Sequence, residues 1–260
     1  MAMTAAEARP VAQAQGRYLY AIIDAGEARM DFAFSGLEGA RVYALGDGRV
    51  AAVVSDLPNQ KLRPERRRLA AHHEVLKRLM PEHVVLPMAF GLIAEGTEAV
   101  RRLLRLNGEA FTAQIERVRG RVEMGLRVSW DVPNIFDHLI ASHPHLGALR
   151  DHIFRGGRRP SQEEKIELGR LFDQILTDDR AEVVERITHA LRPYCREIKE
   201  NRPRNEREIA NLACLVDLTR QKEFEQGVID AAGYFDISYA FDFNGPWPPH
   251  NFVDIDLQMS

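Results

Sequence analysis

A chain of 260 residues, 45% hydrophobic and 28% charged, is long enough to bury the cores of two ordinary domains and too apolar to stay disordered. Its formal charge of −3 argues against non-specific nucleic-acid binding, which needs a surplus of Lys and Arg. No run approaches the ~18 apolar residues of a membrane span, and Cys195 and Cys214, the only cysteines, suit a reducing compartment and offer no disulfide framework.

Residues 1–16 contain Ala but no apolar core, so they read as a disordered leader and not as a secretory signal. Tyr18 to Ile23 is apolar on both faces, the mark of a central strand covered on each side. Phe32, Phe34 and Leu37, bounded by Gly36 and Gly39, suggest one helical turn. Arg41–Leu45 and Val50–Val54 flank Gly46-Asp47-Gly48, a hairpin signal. Pro64 opens a helix whose apolar line is Leu69, Val75, Leu76, Leu79 and Met80, and Pro81 ends it. Val84-Val85-Leu86 returns as a strand, held extended by Pro87. A period of 3.6 from Thr97 to Val118 predicts a helix, interrupted near Asn107-Gly108, that leaves the first domain.

Val122, Met124, Leu126, Val128 and Trp130 then alternate with Glu123, Gly125, Arg127 and Ser129, predicting a strand with one buried face. A helix follows Asp131 and Pro133 through Ile135, Leu139 and Ile140. Residues 143–160 read as a loop or short helix. Ser161 three residues before Glu164 is a capping box for the Leu168–Leu176 stripe, and Asp178 or Asp179 is expected to cap a further helix ended by Pro193. Cys195–Glu200 has the charge of an edge strand, Leu212–Leu218 is a stronger strand, and Phe224–Phe235 is a final helix. Phe235, Ile237, Tyr239, Phe241 and Phe243 alternate as a last strand.

This order predicts an α+β protein of two ferredoxin-like (βαββαβ-type) domains, the first with a degenerate first helix and the second with a helical insertion. The expected bounds are 17–92 for the N-terminal domain, 93–118 for a connecting helix, and 119–260 for the C-terminal domain. That second domain ends in a proline-rich C-terminal strap. Within it, Pro246, Pro248 and Pro249 fix φ and remove three backbone donors, and Gly245 permits a turn before them. Trp247 and Phe252 then stand on a stiff extended chain, which reads first as a seal over the protein's own core. A partner-binding hook is the sharper alternative; on that reading Trp247, Pro248, Pro249 and Phe252 carry the contact.

The chemistry-bearing residues nominate no reaction. His138, His143, His145 and His152, with Asp137 and Asp151, match no standard ligand spacing, so no metal, cofactor or catalytic residue is assigned. His72 and His73 are adjacent and point about 100° apart on a helix, which places one of them beside Leu69 and Leu76. Cys214 alternates with Leu212 and Val216 as a small core residue. Arg66, Arg67 and Arg68 beside Lys61 and Arg63 read as a solvated helix face, with docking of an acidic partner as the sharper reading. No nucleotide or nucleophile-elbow motif is present. Aromatic strands can stack RNA bases, but the basic glycine-rich motif of RNA-recognition sheets is missing.

Gly245–Val253, GPWPPHNFV, resembles the C-terminal signature of the gas vesicle GvpL/GvpF family, which usually has Tyr where this chain has His250. Tyr18-Leu19-Tyr20-Ala21-Ile22-Ile23 is similar to the family's opening strand, and Leu86-Pro87-Met88-Ala89-Phe90-Gly91 to its LPxxFG block. The resemblance spans residues 17 to 254. It implies a non-enzymatic accessory or minor structural protein of gas vesicle assembly, with the hydrophobic shell protein GvpA and other accessory proteins as partners. It also implies a place at the gas vesicle, a cytoplasmic organelle, or in the cytoplasm around it. The alternative from the residues is an enzyme of unknown substrate using an interdomain cleft, with the loop histidines as acid and base.

Overall fold

The computed structural model describes residues 15–24, 31–157 and 159–258, and they form a mixed α/β fold with two antiparallel sheets. The chain divides into two units, Met1–Gly120 with Trp247–Ser260, and Arg121–Pro246. Of the expected leader, residues 1–14 lie outside the described residues, whereas Gln15 and Gly16 already belong to the first strand.

In the first unit the elements run β1 (Gln15–Asp24), β2 (Asp31–Ser35), β3 (Arg41–Asp47), β4 (Val50–Pro58), α1 (Arg66–Leu79), β5 (Val85–Pro87), β6 (Ile93–Ala94) and α2 (Thr97–Val118). The sheet order is β2-β3-β4-β1-β5, with β6 also paired to β1. β1 is central because it has no polar face to give to water: Tyr18 through Ile23 are each 0% exposed. On one face Tyr18, Tyr20 and Ile23 pack with Val75, Leu76 and Leu79 of α1. On the other, Leu19 meets Ala99 and Leu103 of α2 around a small cavity. The β3–β4 hairpin turns at Gly48, whose φ of +72° suits a residue without Cβ.

Two expectations for this unit are corrected. Phe32 and Phe34 lie in edge strand β2, and only Leu37 sits in a 3-10 turn, Leu37–Gly39. Phe32 and Phe34, half-buried, alternate with the exposed Asp31, Ala33 and Ser35, a strand pattern too short to separate from a helical turn by periodicity. The interruption expected near Asn107-Gly108 is likewise absent. α2 runs without interruption and buries Val100, Leu103, Leu104, Phe111, Ile115 and Val118, and it contacts β1, β3 and β4. Asn107 does not break it, because the side chain donates back to the Leu103 carbonyl at 2.8 Å.

In the second unit the elements are β7 (Arg121–Trp130), α3 (Ile135–Ser142), α4 (Pro144–Ile153), α5 (Gln162–Leu191), β8 (Glu197–Glu200), β9 (Glu208–Asp217), α6 (Gln221–Ala232) and β10 (Tyr239–Trp247). The sheet order is β10-β7-β9-β8, which leaves the four-residue β8 at an edge. β7 alternates as its sequence predicts, with Val122, Met124, Leu126, Val128 and Trp130 buried. α3 is capped by Asn134, whose Oδ1 accepts from Phe136 N at 2.9 Å.

The 143–160 stretch holds a short helix, one of the two forms its sequence allows: Pro144 occupies the first turn of α4, where its missing N–H is an orphan anyway. Two other expectations for this unit are corrected. Asp178 and Asp179 cap nothing. α5 is one helix of 30 residues, its buried stripe of Leu168, Ile175, Leu176, Val183, Ile187 and Leu191 passing straight through them. The final strand starts at Tyr239, not Phe235, and Ile237 is 95% exposed in the turn before it.

The capping box of α5 forms on both sides: Glu164 N donates to Ser161 Oγ at 3.2 Å, and Ser161 N donates to Glu164 Oε2 at 2.8 Å. Ser161→Ala is expected to lower stability by about 1 kcal/mol. Urea unfolding monitored by helix signal checks this, and no change in midpoint would contradict it.

Candidate functional site

Three places concentrate unusual residues, two in the first unit and one in the second. The first is the C-terminal segment. Gly245 leaves β10 with φ +132°, and a Cβ there would meet Met124 Sδ at 2.8 Å and Glu123 O at 3.0 Å, so only glycine fits. The following Gly245-Pro246 peptide is cis. From Trp247 onward the chain belongs to the first unit, not to the second as its position suggests. Pro248 and Pro249 are buried, Phe252 is fully buried, and Trp247 is half-buried.

The segment lies first against α1 and then against α2. Lys77 Nζ sits 4.9 Å from the centroid of Trp247, within cation–π range. The His250 ring is 5.6 Å from His73. Further on, Gln114 Nε2 donates to the Asp254 carbonyl at 3.2 Å. Asn107 then brackets the Gln258 backbone, donating to its carbonyl at 3.0 Å and accepting from its N–H at 2.9 Å. The polar residue that reads as a helix interruption is therefore the clasp for the chain end. Of the four residues nominated for partner contact, Pro248, Pro249 and Phe252 are turned into their own unit, and Trp247 retains accessible surface.

The second place lies in the first unit's core. His72 is 2% exposed, and its Nδ1 accepts from Tyr18 Oη at 2.8 Å. Tyr18 Oη in turn accepts from Gly91 N at 3.3 Å. The imidazole stacks on Tyr20 at 5.7 Å and meets Phe90 edge-on at 5.9 Å. Desolvation by this aromatic box, then the nearby His73 and His250, push the pKa of His72 down to about 4, against a smaller opposing hydrogen bond with the Met88 backbone. His72 is thus a neutral structural histidine, and burial raises Tyr18 as well.

The third place is in the second unit. A groove of about 1040 Å³ runs between the C-terminal half of α5 and the β8 edge. Its floor is apolar, formed by Ala181 and Val184 of α5, Ile198 of β8, and Ile209 and Leu212 of β9. Tyr234, 70% exposed, stands on its rim. Composition and spacing give no hint of this groove, because its walls are distant in sequence.

The remaining nominees are accounted for locally. His143 Nε2 lies 2.9 Å from Asp179 Oδ2 and ties the α3–α4 junction to α5. His143, His145 and Asp179 line none of the cavities described above. Among the described residues no group of His, Cys, Asp or Glu has the arrangement of a metal site. Cys214 is fully buried, and the contact with Cys195 and burial raise its pKa, so it stays a thiol. In the basic cluster, Arg68 is paired with Glu38 at 2.7 Å and Glu65 at 3.2 Å. No described helix is long and apolar enough to cross a membrane.

Residues 16–254 match the family model described as gas vesicle synthesis protein GvpL/GvpF. Gas vesicle protein F of Streptomyces sp. (strain CB03234) is 30% identical over 213 residues, covering 82% of this chain and 88% of that protein. Gas vesicle protein F of Nostoc sp. (strain PCC 7120) is 26% identical, covering 92% and 98%. The fold is similar to the crystal structure of the gas vesicle protein GvpF from Anabaena sp. PCC7120, with a TM-score of 0.81, 26% identity, and coverage of 93% and 99%. It is also similar to that of GvpF from Microcystis aeruginosa, with a TM-score of 0.77, 23% identity, and coverage of 92% and 99%.

Proposed function

The chain belongs to the gas vesicle synthesis protein GvpL/GvpF family, and on that premise we propose that it is a non-enzymatic assembly factor. It binds the hydrophobic shell protein GvpA and other accessory proteins at the growing gas vesicle. There it keeps shell subunits from aggregating until they nucleate. The need is physical: a subunit that polymerises through apolar contacts and strand pairing is an aggregation hazard until it is placed.

The observation that carries this reading is the apolar-floored groove beside β8, the last strand of its sheet. An edge strand offers backbone donors and acceptors, and a groove offers burial for apolar side chains, the two components of strand addition or groove binding. The two sheets support a shared scaffold. Each runs fourth-first-third-second in order, β5-β1-β4-β3 and β10-β7-β9-β8, once β2 is set aside as an added edge. We read them as two ferredoxin-like domains, and the C-terminal segment as a strap that closes the first.

The test is co-expression of the tagged full-length chain with the shell protein, followed by affinity capture. Stoichiometric recovery of the shell protein is expected. A chain that recovers none, while remaining folded, sinks the reading.

A further inference from the structure

The buried stripe of α2, which runs through Val100, Leu103, Leu104, Phe111, Ile115 and Val118, contains one polar residue, Asn107, at 3% exposure. An apolar side chain there would serve helix packing, whereas a buried amide has to be satisfied by hydrogen bonds. Asn107 Nδ2 donates to the Leu103 carbonyl at 2.8 Å and to the Gln258 carbonyl at 3.0 Å, and Oδ1 accepts from Gln258 N at 2.9 Å. The two bonds to Gln258 read the backbone of that residue and are indifferent to its side chain.

Gln114 stands seven residues further along α2, two turns and about 10 Å away on the same face. Its Nε2 donates to the Asp254 carbonyl at 3.2 Å, while its buried Oε1 has no hydrogen-bond partner among the described residues. Residues 254–258 thus cross α2 in the opposite direction, and four steps of extended chain reach about 13 Å. Their burial alternates as in a strand, with Ile255 and Leu257 half-buried and Asp254, Asp256 and Gln258 exposed.

The seat is shallow. No residue of 254–258 is fully buried, and among the described residues their hydrogen bonds reach only Asn107 and Gln114. The firm hold on the C-terminal segment lies just before, at Phe252, which is 0% exposed. Release of 254–258 therefore uncovers α2 without disturbing that anchor. It leaves Asn107 Oδ1 and Gln114 Oε1 as acceptors in want of peptide N–H groups.

We propose that this face of α2 is a docking site for an extended peptide, and that residues 254–258 cover it as a resident ligand in cis. The incoming ligand is a partner's extended segment of the same design. It has apolar residues at alternate positions, polar ones between them facing water, and backbone N–H groups placed for Asn107 and Gln114. The resident segment displays that chemistry directly. By filling Gln114 on one side only, it leaves room for a strand that satisfies both amides to bind more tightly. The proposal goes beyond the assembly function and does not depend on the shell protein being the partner.

The test uses the full-length chain and a fluorescent synthetic peptide of residues 253–258, VDIDLQ with an amidated end, followed by anisotropy. In the parent the resident segment competes at an effective concentration on the order of millimolar, so weak binding is expected. Ile255→Asp combined with Leu257→Asp lifts the resident segment while Phe252 still anchors the chain, and should tighten peptide binding at least about ten-fold. Leu257→Asp alone is a milder variant expected to show part of that gain. Adding Asn107→Leu, close in size and compatible with a helix, should abolish the gain. Methylating the peptide nitrogen at the position of Gln258 should do the same. Thermal melts verify that each variant is folded. Folded variants that bind the peptide no better than the parent overturn the proposal, and so does a gain that survives Asn107→Leu.

Discussion

Phe252→Ala is expected to cost the first unit about 3–5 kcal/mol. The side chain is 0% exposed, so truncation loses its transfer from water and leaves a cavity that rigid neighbours fill poorly. Pro248 and Pro249 just before it are buried, and they restrict how far the backbone can collapse into the space. Trp247→Ala is expected to cost only about 1–2 kcal/mol, because its ring is half-buried and its contact with Lys77 is a single cation–π pair. The sequence offers both aromatics as the seal; the structure buries the phenylalanine fully and the tryptophan only in part. Urea unfolding of both variants, followed by a probe in the first unit, decides between them. A Phe252→Ala protein within 1 kcal/mol of the parent, or a Trp247→Ala protein less stable than it, would reverse the assignment.

Acidification is expected to destabilise the first unit well above the range where its surface carboxylates protonate. His72 has a folded pKa of about 4 against an ordinary 6.5. The unfolded chain therefore takes up a proton below pH 6.5 that the folded chain refuses until about pH 4. The sign follows: this contribution is fully present above pH 6.5, declines as pH falls towards 4, and is absent below. A gap of about 2.5 pH units corresponds to about 3 kcal/mol at ~1.4 kcal/mol each. The 2% exposure of His72 means that solvent screening takes little from this figure. His250 is depressed in the same direction by desolvation of its ring and by His73. Water still reaches the residue, so it supplies the smaller part. Stability measured between pH 7.5 and 4.5 should fall steeply in the parent and clearly less in His72→Gln, which keeps a partner for Tyr18 without a titratable ring. Parallel slopes for the two proteins would refute the assignment.

The buried histidine and the C-terminal clasp together explain why the resemblance blocks lie where they do. Tyr18 and Tyr20, Phe90, and the His250 turn belong to three separate blocks of sequence. Their side chains converge on α1 around His72 and His73. What reads as three short signatures is one packed assembly within the first unit. The Lys77 contact with Trp247 and the Asn107 bracket on Gln258 extend it to the chain end.

Wherever a local rule had a single outcome, the sequence alone was enough. β1 announces itself because six consecutive apolar residues allow no solvent face, the β3–β4 turn because Gly48 must take positive φ, and the start of α5 because Ser161 and Glu164 can satisfy each other. Tertiary contacts decided the rest. Asn107 reads as a breaker until its amide is seen to hold Gln258, 151 residues away. Asp178 and Asp179 read as caps until the apolar stripe on the other side of α5 carries the helix through them. The C-terminal segment joins the first unit, and the groove in the second brings α5 to a strand edge, through partners that lie far off in sequence. Local periodicity reports only which side of an element turns from water, whereas the surface that covers it is chosen by the whole fold.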